Sequence, residues 1–538
     1  MEASTVLVAR SAAEGFVDGS VVGAEILFRA YALSRVRRPV STPLPMPPSR
    51  EGSPRAPRTA GMSPGEAAEA WLGVFAGLEA HSATDDRIRR ALLAAKGAVA
   101  TELGRVIALD PGLREEILDE ATRRGFTGFS TRKVNAECAQ TLAIVYGFPP
   151  FIDTGGFVVA RRFERRADAY DVVTQDMSQR RKRDDRSLHL VQRNLGRRML
   201  VRAPLATGNW EQVERFCVEG MSRILERERE LGSYASIYSR SMWIAPSVLA
   251  AWYKARHPDT PWTAELSDPL AYRPNGVPRP NPFPDNPILE EVRRAVALRG
   301  APDWSGERFF EGVEWMVYSL ADRIVFTNEN QRDFMLGAFP DQRVADRARA
   351  VSIVEPHPVP REELYTLGGP GLDAMLGLNP SRVSIGYFGN FYGVRGVEDL
   401  LAPLHSLTSE ERAQVELLVF TPTSDEVAAV IREQGMTEVA QARPALAYFD
   451  FLAATRRLDW LVLADAHSPQ VFGRSPFLPS KLADYRGSRT PIWGIVEPGS
   501  VMSGQPLDER SRLGDAADGA EALRRILARE RLSPRGQV

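Results

Sequence analysis

The chain has only two cysteines, Cys138 and Cys217, among its 538 residues, which excludes a disulfide-stapled scaffold and a cysteine-based metal site. Its net charge is −1, from 68 basic and 69 acidic residues, so no global field favours nucleic acid. No run approaches the ~20 apolar residues of a membrane span, and the first residues lack the apolar core of a signal peptide. Because 43% of the residues are hydrophobic, we expect a soluble, cytoplasmic protein with large cores.

Several catalytic motifs are also absent. The chain contains no Gly-x4-Gly-Lys-Ser/Thr, no Gly-x-Gly-x-x-Gly after a strand, no His-Glu-x-x-His and no Asp-x-Asp, and its six histidines are scattered. The single Gly-x-Ser-x-Gly match, GMSPG, follows a proline-rich stretch instead of a strand, so Ser63 is not expected to be a nucleophile. The sequence therefore predicts neither a metal site nor a bound cofactor.

Composition and periodicity divide the chain into segments. Eight prolines lie between residues 39 and 64, a density typical of an exposed linker, and apolar positions then recur at helical spacing. From TLAIVYG onward, buried-type strands alternate with helices in two series separated by GGPGLDAMLGLNP, which predicts two parallel sheets. The late pattern ALRRILARE predicts a helix that we expect to pack back toward the first of these domains. The predicted segments are an N-terminal segment at 1–38, the linker at 39–64, a helical module at 65–135, and two doubly wound Rossmann-like domains at 136–365 and 366–538.

The stretch FLPSKLADYRGSRTP, residues 477–491, predicts a short helix between two strands. In such units the helix N-terminus faces the carboxyl edge of the sheet, where ligands bind. Ser480 is a candidate cap. Lys481 is unfavourable beside the positive end of the helix dipole unless something negative sits there too. The pattern therefore indicates an anion site, with an ordinary capped surface helix as the alternative.

A second stretch, FGNFYGVRG, has features of a phosphate-binding turn. Gly389 and Gly393 follow a predicted strand and allow a ligand to approach the backbone closely. Arg395 comes next, and arginine can fork across phosphate oxygens. The alternative is a glycine turn with a solvated arginine.

The order of these motifs resembles that of the GT-B glycosyltransferases, most closely the large retaining family 4. TLAIVYGFPPFIDTGG is similar to the family's first strand with its glycine-rich acceptor loop, and LADRIVFTNENQRDFM to the segment that closes its N-terminal domain. YFGNFYGVRGVEDLL resembles its Gly-Arg-x4-Lys-Gly turn, and SPFLPSKLADYRGSRTPIWGI its donor-site segment. The resemblance covers residues 141–505 and implies a GT-B fold: two Rossmann-like domains facing a cleft, an acceptor domain before a donor domain, here with an extra N-terminal helical region.

The resemblance also implies roles for individual residues. Arg395 and Lys481 would face the diphosphate of a nucleotide sugar, and Asp484 would hold the ribose hydroxyls as the second Glu of the family's Glu-x7-Glu motif. The chain departs from the family at Asn390, which replaces its first Arg, and at Pro476, which replaces its first Glu.

On the N-terminal side, Gly155 and Gly156 precede a predicted helix and would admit the acceptor and the donor phosphate. Asp268 matches a polar residue that would contact a sugar hydroxyl or the acceptor, with an Asp-Pro turn as the alternative. The implied catalytic residues are Asp268, Arg395 and Lys481. The implied donor-binding residues are Gly155, Gly156, Gly389, Asn390, Arg395, Phe472, Gly473, Ser475, Ser480, Lys481 and Asp484.

The implied function is transfer of a sugar from a nucleotide diphosphate sugar to a glycan or lipid-linked acceptor, with retention and without metal or cofactor. Arg395, Lys481 and helix termini would stabilise the leaving diphosphate. A non-catalytic GT-B-like scaffold in a polysaccharide assembly complex is the alternative favoured by Asn390 and Pro476. A GT-B-type nucleotide-sugar epimerase is a third reading, for which the chain offers no convincing set of carboxylates and histidines.

The segment 178–202 carries nine Lys or Arg residues against two Asp. Such a segment is suited to anionic lipid headgroups, which would place the protein at the inner face of the membrane, or to a phosphorylated acceptor. A solvated loop is the alternative. Nucleic acid is a weaker candidate, because the segment has no aromatic platform.

Overall fold

The computed structural model describes residues 62–80, 86–166, 168–206, 208–301, 308–391 and 393–532. The predicted segment at 1–38 and nearly all of the linker at 39–64 lie outside these residues, and the predicted domain boundaries stay predictions. The chain forms two compact units, each described by itself. The first unit takes its described residues from 1–142, 166–172 and 192–198, and the second from 143–165, 173–191 and 199–538.

The first unit contains the predicted helical region. Its first helix begins with a capping box, in which Ser63 Oγ accepts from the Glu66 N–H and the Glu66 carboxylate accepts from the Ser63 N–H. Phe75 is fully buried, and its ring stacks on that of Phe126 at 4.7 Å. Apolar side chains of the helices therefore share a small core. The helices are α1 Pro64–Glu79, α2 Asp86–Leu109, α3 Leu113–Arg123 and α4 Thr131–Cys138.

The first sheet has seven strands in the order β3-β2-β1-β4-β5-β6-β7. The pairs β4–β5, β5–β6 and β6–β7 are parallel. The strands are β1 Thr141–Val145, β2 Tyr170–Gln175, β3 Leu195–Val201, β4 Ser236–Ser241, β5 Trp262–Leu266, β6 Arg323–Phe326 and β7 Ser352–Val354. The helices that follow along the chain are α5 Thr154–Glu164, α6 Trp210–Leu231, α7 Ala245–Arg256, α8 Pro287–Leu298, α9 Phe309–Leu320, α10 Glu329–Gly337 and α11 Gln342–Ala350.

The second sheet has six strands in the order β10-β9-β8-β11-β12-β13, and every neighbouring pair is parallel. The strands are β8 Val383–Phe388, β9 Val415–Thr421, β10 Ala440–Pro444, β11 Trp460–Ala464, β12 Ile492–Val496 and β13 Glu509–Arg512. The helices are α12 Leu372–Leu376, α13 Glu398–His405, α14 Ser409–Arg412, α15 Ser424–Glu433, α16 Tyr448–Thr455, α17 Lys481–Ser488 and α18 Ala516–Leu532. Short 3-10 turns lie at Asp185–Leu190, Glu362–Thr366, Gln470–Phe472 and Met502–Gly504.

In each sheet the direction in which successive strands are added reverses next to the strand that comes first in the chain, β1 or β8. The reversal lies between β1 and β4 in the first sheet and between β8 and β11 in the second. Strands such as β8, β9 and β11 are buried along their whole length, as expected for parallel strands covered on both faces. The prediction of two doubly wound parallel α/β domains is therefore confirmed. Crevices at such reversals, outside the carboxyl ends of the strands, are where open α/β sheets bind ligands.

The C-terminal helix α18 packs on the second sheet's own core. Leu523 and Ile526 are buried in the cluster that contains Trp460 and Leu401, and the Trp460 indole N–H donates to Glu530 at 2.9 Å. The expectation that this helix packs toward the first sheet's domain was wrong, because its apolar side meets α13 and β13 instead. Among the described residues, no helix combines the length and apolar character needed to cross a membrane.

Candidate functional site

The reversal point of the second sheet carries a buried carboxyl group beside the glycine turn. Asp465, immediately after β11, is 1% exposed, and its Oδ2 accepts from the Glu497 N–H at 2.9 Å and from Ser500 Oγ at 2.6 Å. Burial raises the pKa of Asp465 to about 6, and the positive charge of Arg395 opposes the rise. Arg395 therefore lies within electrostatic reach of this carboxyl group, at the carboxyl end of β8 and β11.

The first turn of α17 carries the predicted phosphate-binding lysine. Lys481 Nζ lies 4.0 Å from the centroid of the Phe451 ring and 3.7 Å from Asp484 Oδ2. Burial lowers the pKa of Lys481, and Asp484 opposes that change. Ser480 occupies the N-cap position but accepts no capping hydrogen bond. The prediction that Ser480 caps the helix was wrong, because its backbone is helical, with φ −61° and ψ −25°, instead of the extended form that capping needs.

The carboxylate of Asp484 is enclosed by protein groups. Asp484 is 1% exposed, and its Oδ1 accepts from Arg161 Nη1 at 2.5 Å and from the Tyr448 hydroxyl at 3.5 Å. Lys481 lies beside Oδ2. A ribose can reach this carboxylate only after Arg161 has moved away. The ribose-binding role of Asp484 stays a prediction.

Helix α5 of the first sheet contacts helices α16 and α17 of the second sheet. Besides the Arg161–Asp484 pair, the Phe157 ring stacks on the Tyr448 ring with centroids 4.2 Å apart. Nearby, Arg186 forks across the Asp450 carboxylate at 3.1 and 2.8 Å. A pocket of 170 Å³ is lined by residues that follow β6 and β7 and by residues of the α17 region and the turn after β12. The two α/β domains therefore face one another across a largely closed boundary.

Two asparagines after β6 hold the loop that precedes α17. Asn328 Nδ2 donates to the Pro476 carbonyl at 3.0 Å, and Asn330 Nδ2 donates to the Ser475 carbonyl at 3.0 Å. Asn330 also donates to the Gly499 carbonyl at 3.1 Å. The Pro476 carbonyl thus serves as a backbone anchor of this loop.

The predicted donor-binding residues of that loop differ in exposure. The Phe472 ring is buried and packs edge-on against Phe334 at 4.8 Å and Phe477 at 5.4 Å. Ser475 is also buried, whereas Gly473 is exposed and adopts a positive φ of 65°. Phe472 and Ser475 therefore serve packing as the structure stands, and Gly473 supplies a turn that other residues rarely adopt.

Gly155 and Gly156 lie inside the first turn of α5, not before the helix as predicted. Asp153 is the N-cap, and its side chain accepts from the Gly156 N–H at 2.9 Å. A Cβ at Gly156 would lie 2.8 Å from the Gly147 carbonyl oxygen, and a Cβ at Gly155 would lie 2.9 Å from Arg240 Nη1. Close packing of the chain thus accounts for both glycines without a ligand.

Asp268 follows the end of β5 by two residues and is half-buried. Burial raises its pKa, and Arg240 and Arg279 oppose the rise. The loop that continues from it is fixed by Glu314, whose carboxylate accepts from the N–H groups of Leu270 and Ala271, both at 3.0 Å. Asp268 is therefore positioned at the carboxyl edge of the first sheet, and its contact with a sugar hydroxyl or the acceptor stays a prediction.

The sequence analysis missed a buried ionic group on β4, β5 and α5. Glu265 accepts from Arg162 Nε at 2.7 Å, from Arg240 Nε at 3.1 Å and from the Tyr238 hydroxyl at 2.7 Å. Burial would raise the pKa of Glu265, but Arg162 and Arg240 bring it down to about 2. Burial and Arg240 lower the pKa of His357 to about 3, so its ring is neutral at neutral pH. In the local sequence, the only sign of this ionic group was the presence of charged residues inside apolar strands.

The basic segment 178–202 does not form one surface. Residues 179–183 are an exposed loop, Asp185–Leu190 is a 3-10 turn, and Leu195–Val201 is β3, which is mostly buried. Only the first part of the segment presents consecutive cations to solvent. Contact with a membrane through this segment stays a prediction.

No family model and no curated protein matches the sequence. Solved structures with a similar arrangement include HepE from Anabaena in complex with UDP and sucrose-phosphate synthase from Thermosynechococcus elongatus. Each has a TM-score of 0.45 and 14% identity, over 72% of this chain and 90% of that chain. The N-terminal domain of trehalose-6-phosphate phosphatase from Candida albicans has a TM-score of 0.47 and 11% identity, over 73% and 90%.

Proposed function

We propose that this protein is a glycosyltransferase that transfers a sugar from a nucleotide diphosphate sugar to a glycan or lipid-linked acceptor. The observation that carries the proposal is the reversal point of the second sheet. There the glycine turn after β8 leads to Arg395, and Lys481 opens α17. Such a crevice is a ligand site in open α/β sheets, and two cations beside it suit a diphosphate. The order of motifs, which resembles retaining family 4, supports the same function.

In the proposed reaction the bond between the anomeric carbon and the diphosphate oxygen breaks while an acceptor oxygen bonds to the same face of the sugar, and the proton of the acceptor hydroxyl passes to the leaving diphosphate. The leaving diphosphate gains negative charge, which Arg395 and Lys481 stabilise. Asp268, at the carboxyl edge of the first sheet, would orient a sugar or acceptor hydroxyl. The scheme uses neither a metal nor a cofactor.

One observation favours a second candidate, a non-catalytic GT-B-like scaffold of a polysaccharide assembly complex. The carboxylate of Asp484 is covered by Arg161, Lys481 and Tyr448, so the residue proposed to hold ribose already has protein partners. Asn390, in place of an arginine, points the same way.

Incubation of the full chain with a panel of nucleotide sugars, with release of nucleoside diphosphate monitored, tests the proposal. We expect release with at least one donor, loss of release in Arg395→Ala, and unchanged release in Arg432→Ala, which removes an exposed arginine of α15. The configuration of the product's anomeric carbon, read by NMR, then tests retention. Nucleotide binding without release from any donor would favour the scaffold, and absence of both would overturn the two candidates together.

A further inference from the structure

We propose an anion subsite for a phosphorylated sugar acceptor at the reversal point of the first sheet, formed by Tyr146, Trp243 and the basic loop at residues 179–183. The inference rests on the proposed glycosyltransferase function, because it names the chemical class of the acceptor.

The basic loop is held in place by backbone contacts. It follows β2 and lies against the segment that leads into α5. The Ile152 N–H donates to the Lys182 carbonyl at 2.9 Å, and the Asp184 N–H donates to the Pro150 carbonyl at 2.8 Å. These bonds flank an antiparallel bridge between Phe151 and Arg183. The cations of the loop therefore have a fixed location at the carboxyl edge of the sheet.

The loop carries more positive charge than the protein neutralises. Arg183 pairs with Asp185 at 2.7 Å, and Arg181 lies 3.6 Å from Asp153. The side chains of Arg180 and Lys182 are exposed and form no ion pair with any residue that the structure describes. Arg180 and Lys182 are therefore available to an anionic ligand, and Arg181, whose 3.6 Å contact with Asp153 is longer than a hydrogen bond, can turn to the same ligand.

The charges of Arg180 and Arg181 reach the end of β1. Arg181 lies 3.6 Å from Asp153, and Asp153 packs so close to Gly147 that a Cβ at this glycine would lie 2.6 Å from the Asp153 Cγ, so Arg181 is near the residue that follows Tyr146. Burial and Asp153 raise the pKa of the Tyr146 hydroxyl to about 12, and the charges of Arg181 and Arg180 oppose the rise. The Tyr146 ring centroid is 6.0 Å from that of Trp243, which follows β4. The rings and the cations thus share one crevice, at the point where ligands bind in such sheets.

This combination of groups selects a class of ligand. The half-buried Trp243 ring offers an apolar face to the C–H side of a pyranose, while Arg180 and Arg181 can fork across phosphate oxygens. Asp153, already held near Arg181, would accept a sugar hydroxyl. A neutral sugar would leave the cations without a counter-charge. The phosphate belongs either to a soluble sugar phosphate or to a phosphate-linked lipid headgroup.

Calorimetry on the full chain tests the subsite with glucose 6-phosphate and glucose, and sedimentation tests it with phosphatidylcholine vesicles that contain phosphatidylglycerol. We expect glucose 6-phosphate to bind at least about tenfold more tightly than glucose, the scale of a charge-assisted hydrogen bond. The double variant Arg180→Ala/Arg181→Ala should lose that preference. Arg432→Ala, which removes an exposed arginine of α15 outside the subsite, should change affinity less than about twofold.

Vesicle binding without binding of glucose 6-phosphate, abolished in the double variant, would support the subsite and assign the phosphate to a lipid. Equal binding of glucose and its phosphate, or an unchanged preference in the double variant, would overturn the inference.

Titration with UDP, GDP, ADP, CDP and dTDP distinguishes a failure of the subsite from a failure of the proposed glycosyltransferase function. If a nucleoside diphosphate binds and no phosphorylated ligand does, only the subsite fails. If the phosphorylated ligand binds and no nucleoside diphosphate does, only the proposed function fails.

Discussion

Two buried carboxyl groups, Glu265 on β5 and Asp465 after β11, have pKa values shifted in opposite directions, because their partners differ. Glu265 has two arginines within hydrogen-bonding distance, and its pKa falls to about 2. Asp465 is held by Ser500 and a backbone N–H, with Arg395 acting only through its charge, and its pKa rises to about 6. Neutral donors do not offset burial as fully as cations do. Asp465 is therefore the carboxyl group at the second reversal point whose ionisation weakens the fold.

The raised pKa of Asp465 predicts a pH dependence of stability. The folded-state pKa of about 6 lies above the ordinary value of 3.8 for an aspartate side chain, so the group's contribution to stability is fully present below about pH 4 and is lost as pH rises through about 6. The shift corresponds to about 3 kcal/mol. Urea unfolding from pH 4 to pH 7 should show a smaller loss of stability with rising pH in Asp465→Asn than in the wild type. Parallel pH profiles of the two proteins would contradict the assignment.

The ribose-binding role of Asp484 can be tested with a single substitution. If Asp484 accepts from the ribose hydroxyls, Asp484→Asn should weaken a ribonucleotide by about 1.5–3 kcal/mol. The same change should matter much less for an analogue that lacks both hydroxyl groups. Calorimetry with the two ligands provides the comparison. Equal losses would show that Asp484 serves the ion pair with Arg161 and not the sugar.

At the start of helix α5 two backbone segments lie so close together that only glycine fits between them. The loop before the helix passes so near its first turn that a Cβ at Gly156 would lie 2.8 Å from the Gly147 carbonyl oxygen. Backbone atoms cannot move aside as a flexible side chain can, so the helix start and the β1 loop must both shift to admit a larger residue.

Gly156→Ala should therefore destabilise the protein by about 1–3 kcal/mol, the range for overpacking. Gly73→Ala is the matched control, because Gly73 lies inside α1 with nothing within 4 Å of its added Cβ. That control should stabilise the protein by about 0.5–1 kcal/mol through helix propensity. Thermal unfolding of both variants measures the difference, and a loss of similar size in both would remove the close approach as the cause.

Strands and helices could be predicted from the sequence wherever a pattern of neighbouring residues is enough to identify them. Strands such as β1, β11 and β12 are short apolar runs, and their alternation with helices indicates parallel sheets. The start of α5 was placed too late, because two glycines in a first turn look like a loop. The sequence did not indicate which domain α18 packs against, because this helix contacts strands and helices that are distant in sequence.

The site was less predictable than the fold, because many of its contacts join residues that are distant in sequence. The positions of Arg395 and Lys481 follow from turn and helix signals that lie within a few residues. The pair Arg161–Asp484 joins residues 323 positions apart, and Arg240 meets Glu265 across neighbouring strands. No local pattern encodes such partners. They determine which of the predicted site residues are open to a ligand.

For the whole molecule, the buried Arg161–Asp484 pair connects the two α/β domains. Removing one partner leaves the other charge buried, which costs about 3–5 kcal/mol. Arg161→Met should therefore destabilise the chain strongly, and the double variant Arg161→Met/Asp484→Asn by at least about 1 kcal/mol less than the sum of the single changes. Arg215→Ala, which breaks an exposed pair with Glu211 within α6, should cost under about 1 kcal/mol. Chemical unfolding of the four variants checks this, and simple additivity would rule out a direct coupling.

We propose that the reversal point of the second sheet binds a nucleoside diphosphate through Arg395 and Lys481. Calorimetric titration of the full chain with UDP, GDP, ADP, CDP and dTDP tests this binding. We expect at least one of them to bind, with a loss of about 1.5–3 kcal/mol in both Arg395→Ala and Lys481→Ala and none in Arg432→Ala. Absence of binding by every nucleoside diphosphate, or unchanged affinity in both site variants, would contradict the claim.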